Sequence, residues 1–364
     1  MATFLVMAGG TGGHVFPALA LAEALRARQH RVVWMGSSNG LEATLVPAAG
    51  FPIEWITVAG LRGRGLLGWL LAPLNVARAV WQALRAMGRV RPQVVIGLGG
   101  FASGPGGIAA WLTRRPLLVH EQNAVPGFTN RVLARVATRV FEAFPGSFGA
   151  ATARVECVGN PVRAAIVALP APRTRYLDRA GRVRLLVVGG SQGAQALNAV
   201  VPQALARLAS DQAFEVRHQA GAKHVDTARA AYLSAGVSAE VTPFIDDIAS
   251  AYAWADLVVC RSGAMTVSEL AAVGLPAVLV PFPAAVDDHQ TANARWLVAA
   301  GAALLLPQAE LTSERLAATL AALTERQVLL EMSERGRAIA RVDAVPRLVD
   351  ACEQLAAPAA KAAA

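Results

Sequence analysis

The sequence is poor in cysteine and in long apolar runs, and each shortage excludes a class of protein. The three cysteines, Cys157, Cys260 and Cys352, are scattered and odd in number. This argues for a reducing compartment and against a disulfide framework or a zinc site. No apolar stretch makes a convincing membrane span of ~20 residues. The N-terminus, MATFLVMAGG, has no basic residue before its apolar run, so it predicts a strand and not a signal peptide.

Aspartate and lysine are absent from residues 1–160, which hold 15 arginines and six glutamates. The formal net charge of this part is +9, equal to that of the whole chain, so the remainder is neutral. A basic half is expected to meet nucleic acid, phosphate groups or an acidic lipid surface. A GC-rich genome would explain arginine over lysine, but it would not explain why the charge is confined to one half.

The length of 364 residues exceeds what one hydrophobic core usually supports, so two domains are expected. Apolar runs alternate with helical patterns along the first half. The patterns predict strands at 3–8, 31–36, 53–58, 94–98, 117–120 and 140–143, and helices between them. Alternation of this kind is typical of a parallel sheet covered by helices, an α/β fold.

The alternation restarts near Val183, after a Pro- and Arg-rich stretch (158–182) that we interpret as a linker. A strand at 184–188, the turn GGSQGA at 189–194 and a helix at 195–208 repeat the arrangement of residues 3–28. The pattern then continues with strands at 215–219, 240–243, 257–260 and 277–280, and the tail at 325–355 is predicted to be helical. Two similar doubly wound domains are therefore predicted.

The stretch RSGAMTVSEL (261–270) follows a buried strand and opens a helix. The first turn of a helix has unpaired N–H groups and carries partial positive charge. It is therefore a natural binding site for a diphosphate. We predict that this stretch binds the phosphates and the ribose of a nucleotide-sugar.

The first strand ends in GGTGGH (9–14). The motif has neither the G-x-G-x-x-G spacing of a dinucleotide site nor the Gly-Lys-Ser/Thr of a P-loop. A tight turn also needs glycine, but four glycines exceed that need. His14, at the helix start, is a candidate general base, with a capping or packed histidine as the alternative.

Two further glycine turns have the same two interpretations. GLGGFASGP (97–105) ends a strand in the basic half and is either an anion-binding turn or a tightly packed one. GGSQGA (189–194) offers N–H groups and the Ser191 hydroxyl to a phosphate or a sugar, or is a simple turn.

Polar residues follow two other strands. HEQN (120–123) lies where ligands bind in open α/β sheets, although Glu121 and Asn123 could simply cap the next element. Asp287, Asp288, His289, Gln290 and Asn293 could bind sugar hydroxyls. Two carboxylates with one histidine are a weak signal for a metal.

Residues 60–91 interleave tryptophan and leucine with arginine, for example Trp69, Leu70 and Trp81 with Arg62, Arg64 and Arg85. This mixture is typical of a surface that binds an anionic membrane. A buried helix with one solvated face is the alternative. The basic first half favours the membrane interpretation.

Seven motifs together resemble one family, because they occur in its order and spacing from about residue 4 to 350. These are GGTGGH, GGFASGP, HEQNAVPG, VGNPVR, GGSQGA, RSGAMTVSEL and DDHQTANA. The chain is similar to the MurG family, the membrane-associated N-acetylglucosaminyltransferases of bacterial peptidoglycan synthesis. The resemblance implies a GT-B fold, in which two Rossmann-like domains face a cleft. Residues 1–162 would face the acceptor and the membrane and be completed by a C-terminal helix at about 342–357. Residues 163–341 would bind UDP-GlcNAc.

The resemblance further implies transfer of GlcNAc from UDP-GlcNAc to the C4 hydroxyl of MurNAc in lipid I, undecaprenyl-pyrophosphoryl-MurNAc-pentapeptide. The enzyme would work at the cytoplasmic face of the inner membrane, with proteins of cell-wall synthesis as candidate partners. The implied donor site has backbone contacts to the uracil near Ile245, Glu269 on the ribose, Ser191 near the phosphates, and Gln290 and Asn293 near the GlcNAc. Its remaining members are Thr11, Gly12, Gly13, Asn123, Arg163, Ala264, Met265, Thr266, Val267 and Ser268.

By the same resemblance, His14 is the candidate base. The acceptor's diphosphate is expected at the glycine turns, and the implied residues are Gly9, Gly10, Gly99, Gly100, Ser103 and Gly104. Two positions depart from the family pattern. Phe101 replaces a frequent tyrosine and lacks its hydroxyl, and Met265 replaces leucine with little change in volume.

The donor is α-linked and the implied product is β-linked, so a single displacement with inversion is expected. Fixed N–H donors and Arg163 can stabilise the UDP leaving group, so neither a metal nor a cofactor is expected. Three alternatives stay open: a GT-B enzyme with another lipid or soluble acceptor, a non-catalytic UDP-sugar-binding module, and a nucleic-acid-binding protein. The last lacks an RNP, helix-turn-helix or zinc signature.

Overall fold

The computed structural model describes residues 1–58, 72–149, 154–176, 179–190, 193–208 and 214–357. Backbone contacts divide the chain into two units. The first contains Met1–Val162 and the C-terminal segment that begins at Arg341, and the second is Arg163–Ala340. Each unit is built on one parallel sheet with helices between its strands.

The sheet of the first unit has the strand order β3-β2-β1-β4-β5-β6-β7, and every described pairing in it is parallel. Its central strands are almost continuously apolar and buried, as strands covered by helices on both faces must be. The strands are β1 Thr3–Met7, β2 Arg31–Gly36, β3 Ile53–Trp55, β4 Val94–Gly97, β5 Leu117–Glu121, β6 Arg139–Glu142 and β7 Val155–Cys157.

Helices cover both faces of this sheet and form two cores with it. The last helix of the chain belongs to one of these cores, because Leu348, Val349 and Cys352 pack with Leu21 and Leu25 of the first helix. The helices of the unit are α1 Gly12–Ala27, α2 Glu42–Ala48, α3 Ala72–Val90, α4 Ser103–Leu112, α5 Phe128–Leu133 and, numbered in chain order, α15 Ala344–Ala356.

The second unit repeats the design with six strands in the order β10-β9-β8-β11-β12-β13, again with parallel pairings. One large apolar core includes residues of its central strands and of several helices. The strands are β8 Val183–Val188, β9 Phe214–Gln219, β10 Glu240–Thr242, β11 Leu257–Cys260, β12 Ala277–Leu279 and β13 Ala303–Leu305.

The helices of the second unit include two short ones, α6 Ala164–Val167 and α7 Pro172–Tyr176. Short 3-10 helices occur at Val286–Asp288 and Gln308–Glu310. The longer helices are α8 Gln195–Ala206, α9 Val225–Ser234, α10 Ile248–Trp254, α11 Ala264–Val273, α12 His289–Ala299, α13 Ser313–Ala321 and α14 Arg326–Ile339.

The predicted strands are confirmed to within one to three residues at their ends, because long apolar runs between turns identify buried strands well. The short strands β7 and β13 were not predicted, since three residues show no period. The tail is helical as predicted and consists of two helices. Ala340 takes extended dihedrals (φ −66°, ψ 138°) and ends α14.

The linker prediction is wrong for the second part of the stretch, which packs into the second unit. Arg175 and Tyr176 are buried there. Arg175 donates to the carbonyl oxygens of Val273 and Gly274 at the end of α11 (2.8 and 2.7 Å), and so satisfies C-terminal carbonyls that a helix leaves unpaired. Within the described ranges, no helix combines the length and the hydropathy that crossing a membrane requires.

Each unit buries one histidine completely on a central strand, and we predict that both reduce stability in acid. Burial lowers the pKa of His120 on β5 and of His218 on β9 to about 4, below the value of about 6.5 in an unfolded chain. The unfolded chain therefore binds more protons between those pH values. The free energy of unfolding keeps its full value above pH 6.5. It falls as the pH falls towards 4, by roughly 3 kcal/mol per histidine.

Denaturant titrations at pH 7.5 and 5.0 measure this loss, and we expect the lower midpoint at pH 5.0. Two-dimensional NMR of ¹⁵N-histidine protein should show both buried imidazoles still neutral at pH 5.0. A titration of either ring near pH 6.5 in the folded protein would contradict the prediction.

Candidate functional site

Two glycine turns of the first unit meet at the carboxyl end of its sheet. Gly9 and Gly10 follow β1, and Gly99 and Gly100 follow β4, the strand paired beside it. Gly100 has a φ of +84°, and a Cβ added to it would lie 2.3 Å from the carbonyl oxygen of Gly9. Only glycine allows this approach. The structure therefore brings together the two turns predicted for the acceptor.

A buried glutamate fastens the first of these turns. Glu42, at the start of α2, is 1% exposed. Its carboxylate accepts hydrogen bonds from the N–H of Gly10 (2.8 Å) and from the N–H and hydroxyl of Ser37 (3.2 and 2.8 Å). The N–H of Gly10 is thus used inside the protein. No sequence motif pointed to Glu42, whose only signal was its place among the six glutamates of a basic half.

The start of α1 keeps donors available for a ligand. Thr11 is the N-cap in extended conformation, and its side chain makes no capping hydrogen bond. The N–H groups of Gly12 and Gly13 lie in the first helical turn, where the helix itself supplies no acceptor. They point along the positive end of the helix dipole, as an anion site requires.

The imidazole of His14 lies between the second glycine turn and β5. Its Nδ1 is 3.0 Å from Oε1 of Gln122. A Cβ on Gly99 (φ +96°) would lie 2.7 Å from Cε1 and Nδ1 of His14, so glycine leaves the space that the ring occupies. The structure therefore brings His14 into the same group as both glycine turns.

Ser103 lies beneath these turns and is completely buried. Its hydroxyl is 2.7 Å from the carbonyl oxygen of Gly99 and 3.0 Å from that of Met7. The Ser103 side chain therefore supports the Gly99 turn from inside. The next residue, Gly104, is partly exposed in the first turn of α4.

Glu121 is confirmed as a capping residue, the alternative that its position had left open. Its buried carboxylate accepts from the backbone N–H groups of Asn123 (2.9 Å) and Gly127 (3.1 Å), and Gly127 is the N-cap of α5. The same carboxylate accepts from the amide of Asn130 (2.9 Å). The side chain of Asn123 also donates to Glu121 (3.2 Å) and is only partly buried.

In the second unit, α11 begins directly after β11 at Ala264, as predicted. Gly263 is an extended N-cap that offers no side chain. The first-turn N–H groups, such as those of Met265 and Thr266, have no acceptor within the helix. Val267 is completely buried, so its side chain belongs to the core. Gly274 ends the helix in the left-handed region (φ 63°).

The buried carboxylate of Glu269, on α11, forms an ion pair with Arg163, whose side chain is 44% exposed. One carboxylate oxygen accepts from the Arg163 guanidinium at 2.9 Å and the other from the Tyr252 hydroxyl at 3.1 Å. Burial raises the pKa of Glu269, while Arg163 and the Tyr252 hydroxyl act in the opposite direction. Burial and the nearby Glu269 charge raise the pKa of Tyr252. No sequence pattern pointed to Tyr252.

Of the other predicted donor residues, Asn293 contacts the segment just before this helix. The buried amide of Asn293 donates to the carbonyl of Ser262 (3.3 Å). Gln290 accepts from the N–H of Phe282 (2.9 Å), and Ile245 follows β10 at the same edge of the sheet. Ser191 lies outside the described residues.

Two unpredicted side chains organise this edge. The amide of Gln219, at the end of β9, donates to the carbonyls of Gly190 (3.0 Å) and Pro243 (3.2 Å). Arg261 donates to the carbonyls of Val280 (3.1 Å) and Pro281 (3.0 Å). Both side chains therefore join loops that follow neighbouring strands.

Asp287 and Asp288 are exposed and have left-handed backbone conformations (φ 53° and 49°). In the part of the chain that the structure describes, no group of three or more His, Cys, Asp or Glu side chains is arranged to bind a metal ion.

Two parallel-sheet units with glycine turns after their strands, together with matches to two glycosyltransferase domains, identify a GT-B glycosyltransferase. The chain matches the glycosyltransferase family 28 N-terminal domain over residues 4–142 and the family 28 C-terminal domain over residues 184–346.

Relatives that match nearly the whole chain narrow this class. Proteins called UDP-N-acetylglucosamine--N-acetylmuramyl-(pentapeptide) pyrophosphoryl-undecaprenol N-acetylglucosamine transferase are similar to it. That of Chromohalobacter salexigens is 61% identical, covering 96% of this chain and 95% of the relative. That of Nitrosococcus oceani is 56% identical, covering 97% and 98%. The crystal structure of Acinetobacter baumannii MurG has a TM-score of 0.86 at 40% identity, covering 97% and 100%. The chain belongs to the MurG family of N-acetylglucosaminyltransferases.

Glu42 gives a test of how the first glycine turn is supported. We expect Glu42→Ala to lower the free energy of unfolding by about 2–3 kcal/mol, because it leaves buried donors of Gly10 and Ser37 unpaired. Urea denaturation measures the change, and Glu23→Ala, at an exposed position of α1, is the matched control. Equal stability of the two variants would show that the contacts of Glu42 contribute nothing.

Proposed function

We propose that the protein transfers GlcNAc from UDP-GlcNAc to the C4 hydroxyl of MurNAc in undecaprenyl-pyrophosphoryl-MurNAc-pentapeptide. The observation that carries this proposal is the likeness, at 61% identity over 96% of the chain, to a transferase with that donor and acceptor in its name. The arrangement of the glycine turns and of the α11 helix start supports it.

We assign the donor to the Arg163–Ala340 unit. The N–H groups at the start of α11 are suited to the diphosphate of UDP, because first-turn N–H groups have no acceptor within the helix and lie at its positive end. Glu269 is suited to the ribose, since a carboxylate accepts from two neighbouring hydroxyls. Asn293 and Gln290 then face the sugar, and the backbone at Ile245 the uracil.

We assign the acceptor to the first unit. The glycine turns at residues 9–13 and 99–104 are suited to its diphosphate, and Gly12 and Gly13 also belong to the donor site that the resemblance implies. Phe101 is 58% exposed next to this turn and offers the acceptor an apolar ring without a hydroxyl.

The chemistry is a single displacement at the anomeric carbon. His14 accepts the proton of the acceptor hydroxyl as that oxygen forms the new bond, and UDP departs with the electrons of the bond that breaks. The negative charge that develops on UDP is stabilised by the α11 N–H groups and by Arg163, which are fixed before reaction. These donors can act in place of a metal ion.

A lipid-bound acceptor requires contact with a membrane, and the first unit has a surface suited to it. Four apolar side chains are more than half exposed there: Leu74 and Trp81 on α3, and Trp111 and Leu112 at the end of α4. An apolar groove of about 750 Å³ runs along α3 and includes Val76, Val80 and Trp81. Part of the predicted membrane stretch, including Trp69 and Leu70, lies outside the described residues.

Arginines surround this apolar surface. Arg78, Arg85 and Arg89 are exposed on α3, and the Arg85 guanidinium lies over the Trp81 ring at 4.8 Å. Apolar side chains that enter a lipid interface, with arginines for anionic headgroups, are what a peripheral membrane protein needs. We therefore propose peripheral binding at the cytoplasmic face of the bacterial inner membrane.

The function is tested by GlcNAc transfer from labelled UDP-GlcNAc to lipid I, with other polyprenyl-linked or soluble acceptors in parallel. We expect transfer to lipid I alone, and we expect it to persist in EDTA. His14→Ala should reduce turnover by about 10²- to 10⁴-fold, the usual contribution of a general base. The affinity of the His14→Ala variant for UDP-GlcNAc should equal that of the wild type.

Transfer to a different acceptor would contradict the proposed substrate. A requirement for magnesium or manganese would contradict the role of the fixed donors, and normal turnover of His14→Ala would remove the base.

Membrane binding is tested by co-sedimentation with liposomes of increasing anionic lipid content. We expect binding to rise with that content. The triple variant Leu74→Ser, Trp81→Ser and Trp111→Ser should weaken binding by at least ~10-fold. Each apolar side chain that enters the lipid contributes about 1–3 kcal/mol to the free energy of membrane binding. Leu233→Ser, at an 83% exposed position of α9 in the other unit, is the control. Equal binding of both variants would leave this surface without a role.

A further inference from the structure

A chain of hydrogen bonds leads from His14 into the interior of the first unit. Nδ1 of His14 is 3.0 Å from Oε1 of Gln122, and Nε2 of Gln122 is 3.1 Å from Nδ1 of His120. Nε2 of His120 is 2.9 Å from the carbonyl oxygen of Gly159. Gln122 and His120 are both 0% exposed, so no water competes for the contact between these two side chains.

The direction of every bond follows from the inner end of the chain. The carbonyl of Gly159 can only accept, so Nε2 of His120 carries the proton. Burial holds His120 neutral, since its pKa is lowered to about 4. Its Nδ1 therefore has a free lone pair and accepts from Gln122.

The Gln122 amide has one favourable orientation. Its NH₂ group faces two acceptors, Nδ1 and the carbonyl oxygen of His120, each at 3.1 Å. A flipped amide would place its oxygen against both. The oxygen therefore faces His14, and because it only accepts, Nδ1 of His14 must be the donor.

We propose that Gln122, oriented by His120, is a positioning residue that keeps neutral His14 protonated on Nδ1, so that Nε2 is the nitrogen that accepts the substrate proton. This inference rests on the proposed role of His14 as the base. An imidazole free in water prefers its proton on Nε2, which would leave the wrong nitrogen basic. The hydrogen bond at one ring nitrogen determines the state of the other.

The surroundings of His14 fix the ring as well as its tautomer. Gly99 approaches the ring so closely that a Cβ there would lie 2.7 Å from Cε1 and Nδ1, while Gln122 contacts Nδ1. The charged neighbour Glu121 directs its carboxylate to Asn123, Gly127 and Asn130. Gln122 is thus the group that directs the Nδ1 proton.

Gln122→Met tests the proposal, because methionine has a similar length and no amide. ¹⁵N-histidine NMR should show neutral His14 protonated on Nδ1 in the wild type and shifted towards Nε2 in the variant. We expect kcat to fall by about 10- to 100-fold at an unchanged KM for UDP-GlcNAc, less than the full contribution of a general base, because His14 itself is still present. Gln93→Met, at an exposed position of the same unit, should alter neither quantity.

Gln122→Glu is the second variant and keeps an acceptor for Nδ1. We expect His14 to stay protonated on Nδ1, and the rising limb of the kcat–pH profile to move to higher pH, because a carboxylate stabilises the imidazolium. If Gln122→Met does not fold, the tautomer of His14 and the kcat–pH profile of Gln122→Glu test the proposal.

The proposal is overturned if wild-type His14 carries its proton on Nε2. It is also overturned if Gln122→Met leaves the tautomer and kcat unchanged while His14→Ala is inactive. Failure of the proposed function gives a different result, namely no GlcNAc transfer by the wild type or full turnover of His14→Ala.

Discussion

In each sheet, two central strands pair in parallel, and the positions of the turns in the candidate site depend on this pairing. β1 pairs with β4 in the first unit, and β8 pairs with β11 in the second. Parallel strands end at the same edge, so this pairing brings together turns that are far apart in sequence. Gly9 and Gly99 become neighbours in this way. In the second unit, Gly189 and Gly190 after β8 and the start of α11 after β11 likewise follow two paired strands.

Glycines and buried polar side chains together determine the positions of the turns at these edges of the sheets. Gly100 and Gly193 let backbones approach closely, since a Cβ on either would lie within 2.3 Å of a carbonyl oxygen. Glu42, Gln219 and Arg261 then fasten the turns through backbone N–H or carbonyl groups. Each of these three side chains has its hydrogen-bond partners inside the protein. The turns, and with them the N–H groups at the helix starts, are therefore held in place before any ligand binds.

Much of the candidate site could be recognised from its motifs, because glycines at a strand end and a helix start have a direct local cause. His14 and the α11 residues were found in this way. Glu42, Tyr252 and Gln122 act through contacts with residues 17 to 108 positions away. No local period or spacing reports such contacts, and each of these residues is also common in ordinary helices and strands. Ser103 shows the converse, since its motif predicted a ligand contact while its hydroxyl is buried.

The sequence by itself determined the two α/β units, the order of their central strands along the chain, the glycine turns and the segregation of charge. These properties depend on neighbouring residues and on hydrophobic periods of two and 3.6 residues. Only the tertiary structure decided which nitrogen of His14 faces Gln122, which carboxylates are paired, and which apolar side chains of α3 and α4 stay exposed. These depend on distances of about 3 Å between segments that meet only when the sheets form. At the start of α11, the sequence indicated an anion site, and only folding showed that Glu269 of the same helix pairs with Arg163 and Tyr252.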